Sequence, residues 1–215
     1  MINTSLLFAM ELIGTIAFAC SGALVGIRKK LDLLGVIVLA VIIATGGGMF
    51  RDILIGNVPP ALFRNPFYAG VAVLAAILIF FTIQSKRQLK TFMQIERYNQ
   101  VFNSLDAIGL GAFTVVGVDT AISYNVDSYF FLTLFVGVIT GVGGGLIRDI
   151  MVCEIPSILK EHIYACASLA GALLYAGTWQ IFDPDIAMIT SALIVIAIRM
   201  LARHYDWNLP HSKLS

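Results

Sequence analysis

Two eight-residue stretches, Gly46-Gly47-Gly48-Met49-Phe50-Arg51-Asp52-Ile53 and Gly143-Gly144-Gly145-Leu146-Ile147-Arg148-Asp149-Ile150, set an arginine and an aspartate behind three glycines, and each stands inside an apolar run. An isolated charge near the centre of a bilayer costs on the order of 3 kcal/mol even on the mildest scale, so these four charged groups must pair or meet water. We expect a reciprocal cluster across an axis relating the two copies, with Arg51 on Asp149 and Arg148 on Asp52. Each glycine weakens a helix by about 1 kcal/mol relative to alanine, so both helices carrying the motif are expected to be discontinuous. Unwound backbone at membrane depth is tolerated where it lines a cavity. The carbonyl end of a half-helix attracts a cation and the opposing amide end an anion, so the break alone does not fix the sign of an ion. The plainer reading is structural, with glycines for close packing and Arg–Asp pairs as clamps.

Other titratable residues carry weaker signals. Glu11 and Asp106, equivalent in the repeat described below, are expected near opposite ends of the bundle, as vestibule acids that concentrate cations or as solvated, capping carboxylates. His162, His204 and His211 read as surface histidines at span ends or in the tail. Cys20, Cys153 and Cys166 read as buried small residues, without the paired spacing of a disulfide framework or a zinc site. No nucleophile and base, metal cluster or nucleotide loop stands at a usable spacing, and the glycine runs do not match Gly-x-x-x-x-Gly-Lys-Ser/Thr. The sequence therefore points to no enzyme, no cofactor and no nucleic-acid partner.

The elements that position the motifs follow from composition. Of 215 residues, 59% are hydrophobic and 13% charged, with a mean hydropathy of +0.89, which defines a polytopic membrane protein. Seven apolar segments have the length to span a bilayer: roughly Leu6 to Ile27, Leu33 to Ile55, Phe67 to Ile83, Val101 to Val118, Tyr129 to Val152, Ile163 to Ile181 and Ile186 to Leu201. The motifs fall on the second and fifth.

The repeat extends beyond the motifs. Glu11-Leu12-Ile13-Gly14, Ala17-Phe18 and Gly22 recur as Asp106-Ala107-Ile108-Gly109, Ala112-Phe113 and Gly117, 95 positions on. The offset is 97 at the glycines and 96 after Pro60 and Pro156, where Tyr68-Ala69 aligns with Tyr164-Ala165. The expected architecture is all-α, an inverted repeat of three plus three helices and one C-terminal helix. Residues 1–83 form the first three-helix repeat, 84–100 a cytoplasmic linker, 101–181 the second repeat, and 182–215 the seventh helix and tail. Arg28, Lys29, Lys30, Lys86, Arg87, Lys90, Arg97, Lys160, Arg199, Arg203 and Lys213 fall on one side, whereas Arg64, Asp119, Asp127, Asp183 and Asp185 fall on the other. That alternation puts the N-terminus outside and the C-terminus in the cytoplasm. Met1 to Ser5 holds no basic residue, so the first helix is expected to be retained. Gly14, Gly22, Gly109 and Gly117 are helix contacts facing either a neighbouring protomer or the same bundle.

The paired Gly-Gly-Gly-x-x-Arg-Asp motifs, the 3 + 3 + 1 plan and the external N-terminus resemble the bacterial branch of the trimeric intracellular cation (TRIC) channel family, over about Leu6 to Leu201. The resemblance implies a homotrimer in the bacterial plasma membrane, each protomer with its own potassium-permeable pore lined largely by the second and fifth helices. It makes Gly46, Gly47, Gly48, Gly143, Gly144 and Gly145 the kink sites, with potassium or sodium as permeating ion and no other metal. The same sequence family bears a glycine-transporter label, so a secondary carrier for glycine or another small zwitterion is the competing function. The lipid-headgroup-binding segment of animal members does not align with this chain.

Overall fold

Helix boundaries in the computed structural model follow the apolar runs; the residues it describes are 4–83, 95–125, 129–160, 163–205 and 207. The helices are α1 (Thr4–Arg28), α2 (Leu33–Leu54), α3 (Ala61–Arg64), α4 (Phe67–Ile83), α5 (Ile95–Ser123), α6 (Phe130–Met151), α7 (Ser157–Lys160), α8 (Ile163–Thr178) and α9 (Pro184–His204). No strand occurs among the described residues. Two helix starts carry clear local signals. The Asp32 carboxylate accepts from the Gly35 amide at 2.7 Å to open α2, and Asp183 accepts from the Asp185 amide at 3.0 Å just ahead of Pro184-led α9.

Five of these helices, α1, α2, α5, α6 and α9, are long and apolar enough to cross a membrane. The apolar α4 and α8 have 17 and 16 residues, about 26 and 24 Å of helix, and each follows a one-turn helix that brings the chain back to the bundle. The result is an inverted repeat, α1–α2–α4 against α5–α6–α8, with α9 outside it. Helix α5 begins at Ile95, inside the stretch expected to be linker; residues 84–94 lie outside the described residues, as do His162, His211 and Asp127. Because α9 packs on α5 and α8, it covers only the second half. Bare glycines allow that approach: a Cβ on Gly111 would stand 2.8 Å from the Ala192 carbonyl.

Contrary to the expectation of discontinuous helices, α2 runs unbroken through Gly46 to Gly48 and α6 through Gly143 to Gly145. The reason is where the two helices cross. A Cβ on Gly47 would collide with the Thr140 carbonyl, one on Gly144 with the Ile43 carbonyl, and one on Gly143 would stand 3.1 Å from the Gly47 Cα. Close backbone approach offsets the poor helix propensity, as is usual where lipid gives no hydrophobic drive for association. The other repeated glycines also face inward. Gly14 meets Phe113, Gly109 meets Phe18, Gly22 meets Ala40 and Ile43, and Gly117 meets Thr140 and Gly137. They pack the protomer itself. Cysteine placement also differs from expectation: Cys153 and Cys166 are exposed and Cys20 half-buried.

Candidate functional site

The charged residues of the motif do not pair across the halves. Arg51 Nε donates to Asp52 Oδ1 at 2.9 Å, and Arg148 Nε donates to Asp149 Oδ1 at 2.9 Å. The reciprocal pairs Arg51–Asp149 and Arg148–Asp52 expected from the sequence are replaced by pairs within each motif. The arginine's second acid comes from the first helix of its own half: Glu11 Oε1 lies 3.9 Å from Arg51 Nη1, and Asp106 Oδ1 lies 2.6 Å from Arg148 Nη1. Asp106, with a side chain 3% exposed, is not a solvated group at a span end, whereas Glu11 is 24% exposed and faces a cavity. Asp106 stands well inside α5, whose helical start at Ile95 is earlier than its apolar run suggests.

The aspartate next to each arginine has a further duty, repeated in both halves. Asp52 Oδ2 accepts from the Ala61 amide at 2.7 Å, and Asp149 Oδ2 accepts from the Ser157 amide at 2.6 Å. Each carboxylate therefore ties its arginine to the loop that re-enters the bundle. The loops match at a finer level: the Asn57 amide donates to the Asp52 carbonyl and the Glu154 amide to the Asp149 carbonyl, at 2.8 and 2.9 Å. Gly56 and Cys153, equivalent positions after the helix ends, both take left-handed backbone, φ +76° and +56°.

Each half thus holds a cluster of one guanidinium and two carboxylates, towards opposite ends of the core. The clusters differ in access. A cavity of about 300 Å³ opens onto the first and is lined by Thr15, Thr45, Asn65 and Tyr68 besides the charged groups. Tyr68 donates to Glu11, whose side chain is 24% exposed. In the second half the residues equivalent to Thr15 and Thr45 are Leu110 and Val142, both in an apolar cluster with Tyr164, Ala167 and Val195. There the Arg148 and Asp106 side chains are only 1% and 3% exposed. Arg148 also donates from Nη1 to Ser21 at 3.0 Å and lies over the Phe102 ring at 4.6 Å. The equivalent of Phe102 in the first half is Leu7, which offers no ring.

Between the clusters sit Phe18 and Phe113, themselves repeat equivalents, with ring centroids 5.3 Å apart. Both are buried, and Phe113 also floors the cavity. The repeat alignment contained this pair and the two tyrosines, but nothing in their spacing marked them as more than packing. Asp119, expected in a loop, is instead buried in α5 and accepts from Tyr175 Oη at 3.0 Å. Near the surface, Lys29 Nζ lies 2.8 Å from Glu154 Oε1 and holds that carboxyl below its ordinary range.

An all-helical membrane bundle, built from an inverted repeat with an ion cluster in each half, is the class defined by this geometry. A family model described as Glycine transporter matches residues 8–84 and again 103–180, once in each half. The chain is 33% identical over 207 residues to the UPF0126 inner membrane protein YadS of Escherichia coli (strain K12), covering 95% of each chain. It is 35% identical over 210 residues to a UPF0126 membrane protein of Deinococcus radiodurans, covering 95% of this chain and 91% of that one. Among solved structures, it is similar to one reported for conductance through TRIC cation channels (TM-score 0.81, 36% identity, 96% and 97% of the two chains). A prokaryotic TRIC channel in 0.5 M KCl superposes with a TM-score of 0.85 at 32% identity, over 96% of this chain and 100% of that one. The Rhodobacter sphaeroides orthologue gives 0.83 at 26% identity, over 95% and 100%. The chain belongs to the bacterial TRIC channel family, the family whose sequence model carries the glycine-transporter description. Its solved members are channels, not enzymes.

Proposed function

We propose that this protein is a monovalent-cation channel, with potassium as its natural ion. We further propose that it works in the bacterial inner membrane as a homotrimer, with the N-terminus outside, the C-terminus cytoplasmic and a pore in each protomer. The observation that carries this reading is the charge of the two clusters. In each half a guanidinium faces two carboxylates, and in the second half Arg199 adds a further cation beyond the Tyr164 ring, so the uncompensated negative charge that attracts cations and repels anions lies at the Glu11 cavity. The pore runs from the Glu11 cavity between α1, α2, α5 and α6, past Phe18 and Phe113, to the Arg148 cluster. On this reading the present conformer is closed, by the phenylalanine pair and by the dry second cluster. A cavity of about 300 Å³ admits a cation with part of its water, so discrimination between potassium and sodium is weak. Carriage of a zwitterion on half-helix ends is disfavoured by the unbroken α2 and α6, which leave no free helix end at mid-membrane.

Planar-bilayer recording of the purified protein under a potassium chloride gradient tests the reading. Unitary currents reversing near the potassium equilibrium potential support it. Reversal near the chloride potential overturns it, as does electrical silence of folded protein together with saturable glycine counterflow in liposomes.

A further inference from the structure

This inference rests on the conduction reading above and concerns how the second half is shut. Tyr68 and Tyr164 are repeat equivalents held in different ways. The Tyr68 hydroxyl donates to Glu11. Among the described residues, neither the Tyr164 hydroxyl, on a side chain buried to 1% exposure, nor Arg148 Nη2 has a hydrogen-bond partner at normal distance; Asp106 is the acceptor that faces the hydroxyl from farther off. Both atoms face one notch, for a Cβ on Gly145 would stand 2.7 Å from the Tyr164 hydroxyl and 3.6 Å from Arg148 Nη2. One methylene explains the difference. Asp106 is a carbon shorter than Glu11, and its carboxylate is engaged by Arg148 Nη1 at 2.6 Å.

The Tyr164 ring is therefore seated by packing and not by its polar end. Leu110, Val142 and Val195 surround it, and the Arg199 guanidinium lies over its face at 4.4 Å. Arg199 belongs to α9, the helix with no counterpart in the first half. A buried hydroxyl without a partner disfavours the seated position, whereas the cation over the ring favours it. We propose that Tyr164 is the removable plug of the second half-pore and that Arg199 is the positioning residue that seats it. When the ring leaves the Gly145 notch, water reaches Arg148 and Asp106 as it reaches Arg51 and Glu11 through the cavity of the first half.

Open probability in bilayers, read on variants that elute as the wild type and melt cooperatively, tests the proposal. Arg199→Gln raises open probability by roughly 5- to 30-fold, while Arg199→Lys, which keeps a cation over the ring, retains most of the closure. Asp106→Glu restores the reach of Glu11, gives the hydroxyl an acceptor and lowers open probability. Relative to Tyr164→Phe alone, the same Asp106→Glu change has no such effect. The proposal fails if Arg199→Gln leaves open probability unchanged, or if the Asp106→Glu effect persists without the hydroxyl. A second readout needs no current. In a cysteine-free background, Val142→Cys reacts with a water-soluble thiol reagent several-fold faster when Arg199→Gln is added, and equal rates overturn the plug. A silent wild type with accelerated labelling would refute conduction and leave the plug standing, so the two failures are distinguishable.

Discussion

The two halves of this protein share a backbone plan and an ion cluster but not a solvent. In the first half, Thr15 and Thr45 face a cavity that reaches Glu11 and Arg51; in the second, the equivalent Leu110 and Val142 pack with Tyr164 in an apolar cluster, and the equivalent acid and arginine are 3% and 1% exposed. The guanidinium, two carboxylates and tyrosine are a wet vestibule in one half and a dry lock in the other; Leu110 and Val142 in place of two threonines, an aspartate in place of Glu11, Phe102 in place of Leu7 and one extra helix separate them. Charge patterns alone therefore do not define a site in a membrane bundle. The neighbours that admit or exclude water decide what the charges do.

The largest break in this comparison is the removal of an arginine. Arg148→Leu leaves Asp106 and Asp149 buried without a cation and should cost about 3–5 kcal/mol, enough to abolish folded protein in detergent. Arg51→Leu should cost less, because Glu11 and Asp52 both line the cavity and water can meet them there. Thermal melting of the two variants side by side checks the difference, and equal losses would break the wet-and-dry distinction.

Glycine substitutions test the crossing on a smaller scale. Gly47→Ala drives a methyl into the Thr140 carbonyl and should lose about 1–3 kcal/mol. Gly48→Ala meets nothing nearer than Arg51 Nη2 at 3.8 Å. It should hold or gain stability, by up to about 1 kcal/mol of helix propensity. The tyrosines come next. Tyr68→Phe removes a hydrogen bond to Glu11 and should lose about 1 kcal/mol, whereas Tyr164→Phe removes an unpartnered hydroxyl and should be neutral or stabilising. Chemical denaturation in mild detergent distinguishes the two.

The smallest effect belongs to the surface pair Lys29–Glu154. Lys29 lowers the Glu154 pKa, so the stabilisation is present above the ordinary carboxylate range, near pH 4.5, and fades as pH falls through the lowered value. With side chains 35% and 52% exposed, solvent screening limits it to about 0.5 kcal/mol. Glu154→Gln should lower the melting temperature slightly at pH 7 and not at pH 3.

Much of the fold was legible because hydropathy and repetition are one-dimensional signals. The ends of α2 and α4 and the start of α6 fall within a residue of the apolar runs, and the repeat brings Glu11, Arg51 and Asp52 into register with Asp106, Arg148 and Asp149. Helix α5 starts earlier than its apolar run because its first turns, from Ile95, are polar. Who pairs with whom was not legible. Adjacent Arg–Asp residues can point apart or together, and only the loop amides of Ala61 and Ser157 draw each aspartate back beside its own arginine. Glycine runs likewise read as breaks, since propensity is local. The carbonyls of Ile43 and Thr140 that fill the glycine gaps come from the facing helix. The inequality of the halves could be read from Thr15/Leu110 and Thr45/Val142 only once the charged groups near them were known.

The most direct test of that inequality is thiol accessibility in the membrane. In a cysteine-free background, Thr45→Cys and Val142→Cys occupy equivalent positions of the repeat, and a charged, water-soluble thiol reagent is supplied on both sides of the bilayer. The account predicts rapid modification at position 45 and modification at least about tenfold slower at position 142, in keeping with their burial beside a cavity and inside an apolar cluster. Equal rates at the two positions would contradict it.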